Sequence, residues 1–224
     1  MPSPSRRWTN DDRQIREREQ PSTFEEWVWS GIQYGLAQVC LLTAPMLWLI
    51  FQTPRVTASL KATTFVFVGV GVLVVSAFRQ GWLSVGRPWP LMTATQYTFG
   101  EGYAALVRRS VLLSHLLGVA TFGSVLVATA TGLPVLLFPV AAVLTVVGIS
   151  VLPWLVRDGR PDLPGRVALY ALSTALVLVV GDPLTPPSRF RTAPAAFAIL
   201  VAGALVDCRG VGRLLRRRVR RRVE

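Results

Sequence analysis

From Ser110 to Val156 the chain runs for 47 residues without one Asp, Glu, Lys or Arg. A helix needs about 20 residues to cross a hydrocarbon layer about 30 Å thick, so this stretch can cross twice. A soluble domain would have to hide all of it in one core. Soluble chains carry roughly 25% charged residues, whereas here the 224 residues are 16% charged and 51% hydrophobic. Lipid is the expected solvent.

In lipid an unpaired strand leaves its backbone polar groups unsatisfied, so even valine-rich segments are expected to be helical. The pattern predicts an all-α integral membrane protein, a six-helix transmembrane bundle with an interfacial loop or helix between spans 2 and 3. A polar leader (1–26) precedes a transmembrane domain (27–208), and an arginine-rich tail (209–224) follows it. The leader mixes Arg with Asp and Glu and has no apolar core, so it does not read as a cleavable signal peptide. The first span is then the expected insertion signal.

The spans are expected at about 29–51, 60–78, 111–130, 133–152, 163–180 and 193–207. Pro45 should kink the first, because it removes a backbone donor. Thr131-Gly132 separates the third from the fourth and makes them antiparallel neighbours. Gly118, Ala120 and Gly123 on one, with Ala141, Ala142 and Gly148 on the other, should let their backbones approach closely. The last two spans are short and would need interfacial turns, a thinned bilayer or burial within the bundle. The connection at 79–109 carries Trp82, Trp89, Tyr97, Phe99 and Tyr103, and reads as a half-buried aromatic loop that turns helical from about Gly100.

Six spans place the leader, the 79–109 connection, the 157–166 turn and the tail on one side. That side holds 20 Lys and Arg against 4 on the other, or 12 against 4 without the tail. Cationic loops resist translocation, so both termini are expected in the cytoplasm.

The chemistry is thin. The chain has no GxGxxG, no GxxxxGK followed by Ser or Thr, no HExxH and no CxxC. No cofactor or metal is expected. Cys40 and Cys208 read as small apolar residues. Four polar residues remain as functional candidates: His115, the sole histidine, in the first turns of the third span, and Glu101, Arg108 and Arg109 just before it. Asp207 stands at the end of the last span, against the helix dipole, where Arg209 or Arg213 could offset it. Asp182, before Pro183, reads as a turn residue.

Arg213, Arg216, Arg217, Arg218, Arg220, Arg221 and Arg222 in the tail suit anionic lipid or a protein partner. Nucleic acid is disfavoured, since charge alone reads no sequence. The leading expectation is a structural, accessory or partner-binding membrane protein with an apolar bundle interior. The alternatives are a small oligomeric transporter or channel, and a membrane enzyme acting on lipid through a cytoplasmic-side pocket. An enzyme is the weaker reading.

Overall fold

The computed structural model describes residues 24–52, 58–79, 82–83, 101–155, 162–184 and 192–223. Within the helices, side chains are described for all but Phe24, Glu26, Trp27, Ser30, Arg79, 101–105 and 210–223. The polar leader up to residue 23, most of the aromatic connection and Arg157 to Pro161 lie outside the described residues.

The described residues are helical, with no strand among them. Seven α-helices follow in order: α1 (Phe24–Leu42), α2 (Ala44–Gln52), α3 (Ala58–Arg79), α4 (Glu101–Thr131), α5 (Leu137–Leu155), α6 (Leu163–Leu176) and α7 (Ala193–Val223). A 3₁₀ turn at Pro134–Leu136 leads into α5, and a π turn at Val177–Gly181 extends α6. Helix α4 touches every other helix, and the rest ring it in the order α1, α3, α5, α6, α7, α2.

Local chemistry explains where these helices break. The first expected span is two helices, α1 and α2, bent by 61°. The bend falls at Thr43, whose hydroxyl donates back to the Val39 carbonyl at 2.7 Å, and Pro45 follows with no amide to continue the ladder. In a straight helix the Leu42 carbonyl would accept from the Met46 amide. At the bend it accepts hydroxyls from α4 instead, Ser110 at 2.9 Å and Ser114 at 3.2 Å. Two serines spaced i, i+4 share a helix face, and here they serve a backbone group that lipid could not.

The α4–α5 turn is closed by Gly132 with φ +68°. Its amide bonds the Thr129 carbonyl, and the Leu133 amide reaches back to Ala128. This pairing satisfies the last carbonyls of α4 and needs the left-handed conformation that glycine adopts without strain. At the other end of α6, Asp182 takes a left-handed conformation with φ 48°.

Small residues bring helices together, though not all as paired in the sequence. A Cβ on Gly148 of α5 would stand 2.9 Å from Leu116 of α4, and one on Gly123 would stand 3.4 Å from Leu144. Gly118 turns the other way. A Cβ there would stand 2.5 Å from the Ser173 hydroxyl on α6 and 2.8 Å from the Met46 methyl on α2.

Among the described residues, four segments have the length and apolar composition to cross a membrane: Ala58–Phe78, Leu106–Thr131, Pro134–Leu155 and Leu163–Gly181. The bent pair Gly31–Leu42 and Ala44–Gln52 makes a fifth if it is one crossing. The start of α7, expected as the sixth span, is not among them. Its apolar run meets Asp207 and Arg209 after about four turns, while the helix itself continues to Val223. Large apolar side chains including Leu41, Phe65, Val135, Val179 and Ile199 face outward on several helices. An apolar exterior of this kind is compatible with a surrounding lipid phase.

Candidate functional site

The ends of α4, α5 and α6 meet around Asp207, in the middle of α7. Helix α6 begins with Asp162 as its N-cap, the carboxylate accepting from the Gly165 amide at 3.2 Å, and Pro164 sits in the first turn, where its missing amide costs nothing. That start places Arg166 and Tyr170, one turn apart, on the inward stripe Arg166, Tyr170, Ser173 and Leu176. Helix α7 buries Ala193, Ala196, Leu200, Ala204 and Asp207 along one stripe. The heptad-like spacing carries Asp207 inward with the apolar residues before it.

The Arg166 guanidinium joins three elements. Its Nε and Nη2 donate to the Leu155 carbonyl at the C-terminus of α5, at 2.8 and 2.6 Å. Its Nη1 donates to Asp207 Oδ2 at 2.7 Å. A helix C-terminus offers unpaired carbonyls and a negative dipole end, so a guanidinium suits it twice over. The Tyr170 hydroxyl donates to the same Oδ2 at 2.7 Å. Arg166 and Asp207 are 4% and 1% exposed at the side chain.

The second carboxylate oxygen is less well served. Asp207 Oδ1 has no hydrogen bond, and Arg108 Nε of α4 lies 3.6 Å from it. The Arg108 side chain is 38% exposed. Next to it, the buried Nε of Arg109 has no hydrogen-bond partner.

His115, two turns after Arg108, is 1% exposed. Its Nδ1 lies 2.7 Å from the Val111 carbonyl, which assigns the proton to Nδ1 and leaves Nε2 as the ring's acceptor. The imidazole packs against the Tyr170 ring with centroids 4.7 Å apart and planes tilted by 58°. Tyr170, Asp207, Arg166 and Arg108 therefore form one polar cluster across α4, α6 and α7, with the His115 ring packed against its Tyr170 edge.

Two of the candidates named from sequence, His115 and Arg108, thus meet in one cluster through residues that sequence reasoning had not joined. The expectation of an apolar interior is corrected by this cluster, which is stable there because each charge has a partner from another helix. Reading Asp207 as an end-of-helix charge offset along its own tail missed Arg166 and Tyr170. The signal was present: an ionisable residue on an apolar helical stripe, and an Arg and Tyr at i, i+4 on another. The side chains of Glu101 and of Arg213, Arg216, Arg217, Arg218, Arg220, Arg221 and Arg222 lie outside the described residues. Cys40 and Cys208 are free thiols, half-buried. Among the described residues, no three His, Cys, Asp or Glu side chains come together in a way that could hold a metal ion.

Beside the cluster, a groove of about 670 Å³ separates α1 from α7, with α4 as its floor. Its walls are apolar, with Leu41, Pro45, Val107, Val111 and Ile199 among the lining residues, while Ser110 and Ser114 on its floor are already bonded to Leu42. His115 is not among its lining residues.

No curated protein and no solved structure matches the chain. One family model does, across residues 22–158. The match takes in the bent first span, the central helix with Arg108 and His115, and α5 up to Leu155, and it stops short of Arg166, Tyr170 and Asp207. On that coverage, more than half its length, the chain belongs to the domain of unknown function family DUF8215.

Proposed function

We propose that the protein is a structural or accessory membrane module, a six-span bundle with both termini in the cytoplasm, whose interior charges fasten helices together. The observation that supports it is how the buried polar groups are used. Arg166 ties α5 to α7, Tyr170 ties α6 to α7, and Ser110 and Ser114 tie α4 to the bend. The sixth span in this reading is the first half of α7, held in place by Asp207 although its apolar run is short. The excess of Lys and Arg on the leader, the 79–109 connection, the 157–166 turn and the tail sets the orientation. The tail arginines then lie against anionic cytoplasmic lipid or a protein partner.

Transport is the second reading, and one observation favours it: the ionisable residues His115, Tyr170 and Asp207 are buried side by side, the first two through ring packing and the last two through a hydrogen bond. Intramembrane ionisable residues often mark proton or ion paths.

Reconstitution of the full chain in sealed vesicles tests one against the other. The module reading expects proton and solute flux equal to that of protein-free vesicles, with and without a membrane potential. Flux abolished by His115→Ala or Asp207→Asn would replace it with transport. Single-cysteine labelling from outside intact cells tests the topology. Positions 55 and 189 should label, while 160 and 213 should not.

A further inference from the structure

We infer that the groove between α1 and α7 holds one acyl chain of an anionic phospholipid, whose phosphate sits on Arg108, one turn from the lining residue Val111. The placement follows from two helices read one turn further. Val111 and Gly203 both line the groove, and they touch: a Cβ on Gly203 would stand 2.9 Å from Val111. One turn beyond them, on α4 and α7, stand Arg108 and Asp207, 3.6 Å apart. Arg108 is not itself among the lining residues, but it stands one turn from Val111, is partly exposed and lacks close contact with its counter-ion.

Charge complementarity selects the occupant. Among the described side chains at this level, Arg108 and Arg166 face one interior carboxylate, Asp207, while Asp162 is engaged in capping α6. Arg166 is saturated by Leu155 and Asp207. Arg108 makes only the long contact, and the buried Nε of Arg109 has no partner. A planar guanidinium recognises a phosphate with paired donors. The apolar walls reject a polar solute, and a volume of about 670 Å³ falls within the usual range of small-molecule sites. A neutral lipid would fill the trough and leave Arg108 unmatched. The inference requires the lipid-embedded bundle proposed above, but not its structural role.

The test uses the full chain in detergent with equal amounts of phosphatidylglycerol and phosphatidylcholine bearing the same acyl chains, and reads bound lipid by native mass spectrometry. The unmodified chain should retain phosphatidylglycerol about fivefold over phosphatidylcholine, the ratio expected from one basic contact at a membrane surface. Arg108→Gln should bring the ratio near parity, and Arg108→Lys should restore much of it. Val107→Trp, at a half-exposed lining position, should lower retention of both lipids, while Val147→Trp on the outward face of α5 should change neither. Melting in detergent identifies any variant that has lost its fold, and if Arg108→Gln is one, the Val107→Trp arm decides. Unchanged retention in Val107→Trp, or a preference that survives Arg108→Gln in a folded chain, overturns the inference. So does a disulfide-linked dimer of Leu41→Cys formed in place of bound lipid, which would give the groove to a second copy. Vesicle flux and cysteine labelling are independent of these outcomes, so the module reading can stand or fall separately.

Discussion

Helices α4 and α5 are neighbours joined by one tight turn, yet they are built by opposite rules. Helix α5 is the more apolar, with mean hydropathy 2.7 against 2.0 over the best window, but only 28% of that window is buried against 78% for α4. The central helix carries His115, Ser110, Ser114, Thr121 and Ser124, and all but Ser110 are fully buried. In water the more apolar helix would be the one hidden. The inversion is the pattern compatible with an apolar solvent outside the bundle, where burial sorts residues by hydrogen bonding and fit, not by hydrophobicity.

The largest expected effect strikes the polar side of this contrast. Asp207→Ala leaves the Arg166 guanidinium without its buried counter-ion and should cost about 3–5 kcal/mol, read as unfolding free energy in mixed micelles. The double change Asp207→Leu with Arg166→Leu should cost much less than the two single changes added together. If the two losses simply sum, the clamp is not coupled and the polar interior does not hold the helices.

Next comes the apolar side. Val143 projects outward from the middle of α5 and is 60% exposed. Val143→Arg should reduce membrane insertion by about 2.5–3.5 kcal/mol, as measured by the glycosylation pattern of the chain in microsomes. A face bathed in water would tolerate that arginine at almost no cost, and such a result would break the comparison outright.

Packing at the centre is expected to matter less. Gly118→Leu forces a side chain against Ser173 and Met46 and should cost about 1–3 kcal/mol in thermal unfolding. Val147→Leu, on the exposed face of α5, should fall within about 0.5 kcal/mol of the unmodified chain.

The smallest effect sharpens the role of the hydroxyls. Ser114→Ala alone should lower stability by about 0.6 kcal/mol, because Ser110 still serves the Leu42 carbonyl. Removing both hydroxyls should cost more than twice that, since a bare carbonyl then faces lipid. Equal single and additive double losses would show that the two serines act independently.

These contrasts also explain what the sequence made legible. The absence of charge from Ser110 to Val156 identified two helices, and Gly132 marked the turn between them, because such signals are local. Pro45 located the bend for the same reason. The ring order around α4 was hidden, since helices apolar on every side carry no stripe to say which face turns inward. Gly118 was assigned to α5 because small residues report that something comes close, not what it is. The Arg166–Asp207 pair joins residues 41 apart across two helices, and an isolated charge near a helix end looks the same whether it faces water or a partner. The connection was expected to turn helical from about Gly100, and α4 does begin at Glu101; what the sequence hid is that this turn runs unbroken into the third expected span, since Ala104, Ala105 and Leu106 extend a helix as readily as they border one.

The bend between α1 and α2 has a consequence in time. Its carbonyl at Leu42 is answered by Ser110, which the ribosome adds 68 residues later. At about 5–20 residues per second that is a wait of roughly 3–14 s. During the wait Thr43 and Pro45 already set the bend, while the Leu42 carbonyl lacks the hydroxyls that Ser110 and Ser114 will bring. The corner is thus shaped by its own residues and sealed only when α4 arrives.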